Sequence, residues 1–188
     1  MITNEIILEE EINRQMRIIL KGAAQLIGED DLRAKLAHSI RTGKPLTVKL
    51  GLDPSAPDIH LGHAVVLRKL KQLQDLGHHI VIIIGDFTGR IGDPTGKSKG
   101  RKALSDREIL INAQTYQDQV FRVLDKDKTQ IRYNGEWLEL LNMEEIIRLA
   151  STTTVARMLE RDDFQNRYTH NTPFVLHEFF YRIIQAYD

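Results

Sequence analysis

The stretch Leu46-Thr47-Val48-Lys49-Leu50-Gly51-Leu52-Asp53-Pro54-Ser55-Ala56-Pro57-Asp58-Ile59-His60-Leu61-Gly62-His63 decides the fold. It opens with β-forming residues, Leu46 to Leu50, behind the turn Gly43-Lys44-Pro45. A Pro-rich loop, Asp53 to Asp58, leads into helical periodicity from Leu61 to Leu76, which Gly77 ends. Ile80-Val81-Ile82-Ile83-Ile84 follows, apolar on every side, as a strand buried on both faces of a parallel sheet should be. Strand, helix, strand in this order make a βαβ unit with a right-handed crossover, and so predict an α/β fold.

On the N-terminal side, Ile6, Ile7, Ile12, Met16, Ile19 and Leu20 recur at helical spacing, with Asn4 as the expected N-cap. Gly28 breaks the pattern, and Glu29-Asp30-Asp31 opens a second helix through Leu32, Leu36 and Ile40. Beyond Ile84, Gly85 to Leu104 reads as a loop holding five Gly residues and a Pro; structureless loops of that length are functional or disordered. Ser105-Asp106-Arg107-Glu108 is a capping box opening a helix to about Leu124. Asp125 to Lys128 is a charged turn, and Gln130 to Asn134 a third strand. From Asn142 to Asn166 the pattern is helical in two pieces, and Thr172-Pro173 caps a last helix running to Asp188.

The chain has 188 residues, 26 Lys+Arg against 26 Asp+Glu, 7 His, no Cys and 41% apolar residues, which is the composition of one soluble globular domain. No apolar run approaches the roughly 20 residues of a membrane span. Glu5, Glu9, Glu10 and Glu11 stand where a signal peptide needs basic and apolar residues. The lack of cysteine excludes disulfides, thiol catalysis and thiolate metal sites, and fits a cytoplasmic location. Balanced charge provides no global field for nucleic acid, so any such partner must meet a local patch.

Three segments carry chemistry. His60 and His63 lie three apart on the first turn of the crossover helix, beyond a strand's carboxyl end, where open α/β sheets bind ligands. Free N–H groups and the dipole favour a phosphate there, and Gly62 lets a ligand approach the backbone. The competing reading makes His60 a helix cap and His63 a half-buried surface residue. A zinc pair is the other alternative, but no third ligand has matching spacing.

The second segment is Gly85-Asp86-Phe87-Thr88-Gly89-Arg90-Ile91-Gly92-Asp93-Pro94-Thr95-Gly96-Lys97-Ser98. It ends like a P-loop but has three residues between Gly92 and Gly96 where that loop needs four. Its glycines allow close backbone approach. Asp86 and Asp93 offer carboxylates to an ammonium or a ribose hydroxyl, and Lys97, Lys99, Arg101 and Lys102 offer charge to a polyphosphate. The third segment is the last helix, on which His177, Tyr181, Gln185 and Asp188 form one line, spaced four, four and three. That line is a polar pocket wall or the solvent face. Arg182 and Glu178 give a competing solvent face, and the wall reading is preferred. The helix stops uncapped at Asp188, which reads as a cut.

Together these motifs resemble the bacterial tyrosyl-tRNA synthetases, from about Lys44 to Asp188 and more loosely before it. His60-Leu61-Gly62-His63 is similar to the HIGH signature of class I aminoacyl-tRNA synthetases. Asp86-Phe87-Thr88-Gly89, Ile91 to Lys97, and Tyr181-x-x-x-Gln185-Ala186-Tyr187-Asp188 are similar to the more specific tyrosyl motifs. The resemblance implies a Rossmann-like nucleotide-binding domain with N-terminal helices (1–43), a nucleotide and tyrosine core (44–104 and 168–188) and a mostly helical connective region (105–167). It implies that ATP, with Mg2+, and L-tyrosine form tyrosyl-adenylate, which then charges tRNA(Tyr). No protein-bound metal is implied.

Carried over by the same motifs, Asp93, Tyr181 and Gln185 would hold the tyrosine ammonium group, and Asp188 would accept from the phenolic hydroxyl. Gly51 and Asp53 would border the adenylate. Ser55 and His60 would meet the leaving pyrophosphate, with Gly62 beside them, while His63 would support the nucleotide. Lys97 and Arg101 would lie near the phosphates. Lys49, also expected at the tyrosine site, stands where one branch of the family has a tyrosine as second hydroxyl partner, so this chain resembles the other bacterial branch. The Gly-Gly-x-Asp-Gln and Lys-Met-Ser-Lys-Ser segments and an anticodon domain are absent, which implies an N-terminal fragment.

The connective region is expected to form a homodimer interface, with Trp137, Leu138, Leu140, Leu141, Ile146, Ile147, Met158 and Leu159 as its apolar residues. The alternatives are another HIGH-type nucleotidyl transferase and a non-catalytic nucleotide-binding or dimerisation module.

Overall fold

The computed structural model describes residues 2–91 and 105–188. Its strands are β1 (Thr47–Leu52), β2 (His79–Ile84) and β3 (Thr129–Tyr133), in one sheet of order β1-β2-β3. The His79 N–H donates to the Leu46 carbonyl and the Gly85 N–H to that of Leu52, the same separation along the chain in both pairs. That fixed register makes β1 and β2 parallel. β2 buries Ile80, Ile82, Ile83 and Ile84, as its unbroken apolar run requires. β1 instead alternates, with Thr47, Lys49 and Gly51 exposed.

The helices are α1 (Ile2–Leu20), α2 (Glu29–Thr42), α3 (Leu61–Asp75), α4 (Asp86–Ile91), α5 (Asp106–Val120), α6 (Gly135–Leu138), α7 (Met143–Ala150), α8 (Val155–Leu159), α9 (Asp162–Thr169) and α10 (Leu176–Tyr187). Chain contacts divide the molecule into two compact units. One comprises Met1–Leu50, Asp58–Ile82 and Gln117–Ile131, the other Gly51–Pro57, Ile83–Tyr116 and Arg132–Asp188.

In the first unit, Ile12 and Met16 of α1 pack on Leu36 of α2, one apolar stripe on another. Lys69 of α3 ties down the C-terminus of α1, its ammonium donating to the carbonyls of Ile18 (2.8 Å) and Lys21 (2.6 Å). These carbonyls lack intrahelical donors, so a lysine there satisfies the helix end and its dipole. His78 is buried against α1: its Nδ1 accepts from the Leu46 N–H (3.3 Å), and its Nε2 meets Gln15 Oε1 at 3.1 Å. Gln15 in turn donates to Glu11 at 2.9 Å. Arg14, also bonded to Glu11, and Gln15 hold that carboxyl down at about 2. Burial, and then the neighbouring His79, lower the His78 pKa.

Several expected boundaries move. Asn4 lies inside α1, which starts earlier, so it is not the cap. The supposed loop after β2 starts as α4, because Asp86 heads a helical turn and the Gly89 N–H bonds the Gly85 carbonyl; residues 92–104 lie outside the described residues. The Ser105–Glu108 capping box is present, with Ser105 N–H to Glu108 at 2.8 Å and Glu108 N–H to Ser105 Oγ at 3.3 Å, but α5 ends at Val120. The region from 142 to 169 forms three helices, since Thr154 caps α8 separately. Short α6 escapes a periodicity reading altogether. The last helix starts at Leu176 and not behind Thr172, because Glu178 reaches back to the Val175 N–H at 2.8 Å.

Candidate active site

The second unit gathers the residues that follow the strands' carboxyl ends. Asp53 follows β1, Gly85 to Thr88 follow β2, and Asn134 follows β3. The Asn134 N–H continues the ladder onto the Ile84 carbonyl (3.0 Å), which fixes where its side chain starts. Asn134 is fully buried. Its Oδ1 accepts from the Phe87 N–H (3.0 Å), and its Nδ2 donates to Thr88 Oγ1 (3.0 Å) and to Asp188 Oδ2 (3.1 Å). A flipped carboxamide would oppose oxygen to oxygen, so this orientation is the one the network allows.

Asp188 accepts a second bond, from Trp137 Nε1 at 3.1 Å onto Oδ1. The carboxylate is thus oriented by two neutral donors, one on each oxygen. Each oxygen retains acceptor capacity for a further hydroxyl or amide donor. Asp53 is oriented in the same way, by the Thr88 hydroxyl on Oδ1 (2.6 Å) and by the Tyr181 hydroxyl on Oδ2. Tyr181 is buried at 2% exposure and spends its one proton on Asp53, so its oxygen can only accept from any other partner.

Close packing makes this arrangement exacting. A Cβ at Gly85 would lie 1.9 Å from Asp53 Oδ1 and 2.3 Å from Thr88 Oγ1. At Gly135 it would come within 2.8 Å of Asp86 Oδ2, whose partner oxygen accepts the Gly135 N–H at 2.7 Å. The loop after Asp53 is pinned by Asn112 of α5, which donates to the Pro54 carbonyl at 2.9 Å. The Ser55 N–H turns back onto the Asp53 carbonyl at 2.8 Å.

On α10 the expected polar line divides. Tyr181 is buried and Asp188 half-buried, whereas His177 and Gln185 are exposed, Gln185 accepting from Arg182 at 2.9 Å. The competing solvent face does not exist. Glu178 is buried and ion-paired with Arg167 at 2.5 Å, and Arg182 reaches Asp163 at 3.4 Å. Burial would raise the Glu178 pKa, but the Arg167 guanidinium and the Val175 N–H outweigh it and hold it below the usual carboxylate range.

In the first unit, His60 caps α3. Its Nδ1 accepts from the Gly62 N–H (3.1 Å), the His63 Nδ1 accepts from the His60 N–H (3.2 Å), and the two rings stack with centroids 4.0 Å apart. The cap reading of His60 is therefore realised, but it does not oppose a chemical role. With Nδ1 accepting on both rings, the N–H of each is its Nε2, giving two N–H donors at a helix N-terminus. Gly62 makes room for this, because a Cβ there would fall 2.9 Å from His60 Cε1. Lys49 is exposed on β1, and Gly51, exposed as well, has open space beside it.

Of the expected site residues, Asp93, Lys97 and Arg101 lie outside the described residues. Asp53, Ser55, Gly51, Tyr181, Gln185 and Asp188 belong to the second unit, and Lys49, His60, Gly62 and His63 to the first. Thr88, Asn134 and Trp137 were not singled out as site residues by sequence. Thr88 lay within the Asp86-Phe87-Thr88-Gly89 motif and Trp137 was expected at an interface; the advance signal the three share is that each follows a strand closely. Among the described residues, no group of three or more His, Asp or Glu side chains stands together to hold a metal ion. No described helix is long and apolar enough to cross a membrane.

A parallel sheet with a crossover helix, and polar side chains converging beyond the strands' carboxyl ends, defines a Rossmann-like domain. The family described as tRNA synthetases class I (W and Y) matches residues 41–188. The chain belongs to that family. It is 60% identical over 181 residues to the tyrosine–tRNA ligase of Moorella thermoacetica, covering 96% of this chain and 44% of that protein. It is also 60% identical over 179 residues to tyrosine–tRNA ligase 2 of Clostridium acetobutylicum, covering 95% and 45%. The chain thus spans less than half the length of these curated relatives.

Among solved structures, a C-terminally truncated mitochondrial tyrosyl-tRNA synthetase of Aspergillus nidulans superposes with a TM-score of 0.67. It shares 26% identity, over 83% of this chain and 48% of that one. The tyrosyl-tRNA synthetase of Archaeoglobus fulgidus, complexed with L-tyrosine, has the same fold. Its TM-score is 0.68 at 22% identity, over 96% of this chain and 51% of that one.

Proposed function

We propose that this chain forms the amino-acid-activating part of a tyrosine–tRNA ligase, which joins L-tyrosine to ATP as tyrosyl-adenylate and then charges tRNA(Tyr). The observation that carries this reading is the Asp188 carboxylate, held by Asn134 and Trp137 just beyond the strand ends. A fixed acceptor suits a phenolic hydroxyl, and phenylalanine would leave its remaining acceptor capacity unfilled while covering it from water, at a desolvation cost. The names borne by the 60% identical relatives support the same choice of substrate.

In this reading the tyrosine carboxylate attacks the α-phosphorus of ATP and pyrophosphate leaves. The chain contributes orientation and charge stabilisation, with no nucleophilic side chain. Tyr181, its proton committed to Asp53, accepts from the substrate ammonium together with Asp93 and Gln185. Asp53 and Gly51 border the nucleotide. By the same motifs the phosphates are assigned to His60 and His63, through their Nε2 hydrogens, and separately to Ser55, Lys97 and Arg101. Magnesium arrives with ATP, and no residue of this chain is assigned to it.

The division into residues 1–43, 44–104 with 168–188, and 105–167 then separates supporting helices, the substrate core and a connective region. Leu140 and Ile147 are 79% and 62% exposed there, which supports a homodimer contact; Leu138 is in the core and Trp137 is occupied by Asp188. The proposed setting is the cytoplasm. The test is ATP–pyrophosphate exchange by the intact gene product with each amino acid in turn. Exchange with tyrosine alone is expected; exchange with another amino acid, or with none, would overturn the reading.

A further inference from the structure

The two carboxylates of the second unit are joined by one continuous hydrogen-bond chain. The Thr88 hydroxyl has a single proton, which it gives to Asp53 Oδ1 at 2.6 Å. Its oxygen accepts from Asn134 Nδ2 at 3.0 Å, and the other hydrogen of that same nitrogen goes to Asp188 Oδ2 at 3.1 Å. At the far end, the Tyr181 hydroxyl closes onto Asp53 Oδ2. Donor and acceptor roles are fixed along the whole path, since a hydroxyl has one donor and a carboxamide nitrogen two. Thr88 is 2% exposed and Asn134 fully buried, so neither link competes with water. Gly85 is packed directly against this path, because a Cβ there would collide with both Asp53 Oδ1 and Thr88 Oγ1.

We propose that Thr88 is a positioning residue for specificity: through Asn134 it couples Asp188, which reads the substrate hydroxyl, to Asp53 and Tyr181 at the other end of the substrate. The assignment rests on the tyrosine-activating reading above. Buried networks polarise and orient their members jointly, so removing the middle link loosens both ends. Thr88→Val keeps the shape and removes the hydroxyl, leaving Asn134 Nδ2 and Asp53 Oδ1 each short of a partner; Thr88→Ser keeps the hydroxyl.

The experiment measures kcat/KM for tyrosine and for phenylalanine in ATP–pyrophosphate exchange by the intact gene product. The Val variant is expected to lose about tenfold in the tyrosine-to-phenylalanine ratio, the scale of one buried hydrogen bond, and the Ser variant to stay near the parent. An unchanged ratio in the Val variant, or an equal loss in both, would overturn the proposal. Parent protein without tyrosine-dependent exchange would refute the functional reading instead. The relay is then judged by urea unfolding of Thr88→Val, Asp188→Asn and the double variant. Non-additivity of about threefold or more in the unfolding equilibrium is expected, and additive effects would overturn the relay.

Discussion

His60 shows how one residue serves two ends. Its Nδ1 caps α3 on the Gly62 N–H, and the same bond leaves Nε2 as a donor. Asparagine is at least as good an N-cap, so His60→Asn separates the roles. We expect the variant to unfold at the parent's urea midpoint or above it, while exchange falls on the order of 100-fold, as for loss of one transition-state donor. Retained exchange would reduce His60 to a cap. Tyr181 and Asp188 were legible in sequence, because helical spacing puts them in one line. Thr88, Asn134 and Trp137 were not, since their roles arise only when three strand ends are brought side by side. Gln185 shared the line but is exposed, because four-residue spacing drifts around a helix and Tyr181 takes the buried side.

Among the elements, β2 and α3 were readable because an unbroken apolar run and Gly77 leave little choice, and β1 and β3 because short β-forming stretches follow turns. α4 and α6 were not, being one or two turns held by tertiary bonds such as Asp86 to the Gly135 N–H. Glu178 was misassigned to solvent because its burial depends on Arg167, which no local pattern reveals. The tie between α1 and the start of the sheet rests on His78, buried and neutral between Leu46 and Gln15. Its lowered pKa means the native state binds fewer protons than the unfolded chain once pH falls below about 6.5, the ordinary histidine value. Its contribution to stability is then fully present above that value and lost as pH falls further. Urea midpoints measured from pH 8 down to 5 should fall below about pH 6.5, where histidine starts to protonate. In His78→Asn the slope should flatten, at a lower midpoint throughout. Parallel curves for parent and variant would remove His78 as the cause.

For the whole molecule, an open parallel sheet sets polar residues beyond its strands' carboxyl ends, where such sheets bind ligands. The fold was legible from one βαβ unit. The division into two compact units was not, because β1 and β2 each contribute residues to both units. In the proposed function, a carboxylate oriented by neutral donors suits a phenol and a committed tyrosine oxygen suits an ammonium, both within the second unit, while imidazole N–H groups of the first unit suit phosphates. In that proposed function, Asp188 chooses tyrosine. The most direct measurement is the ratio of kcat/KM for tyrosine over phenylalanine in ATP–pyrophosphate exchange, for the intact gene product and its Asp188→Asn variant. A strong preference in the parent that collapses toward unity in the variant is the expected result. A parent without preference, or a variant that keeps it, would contradict the account.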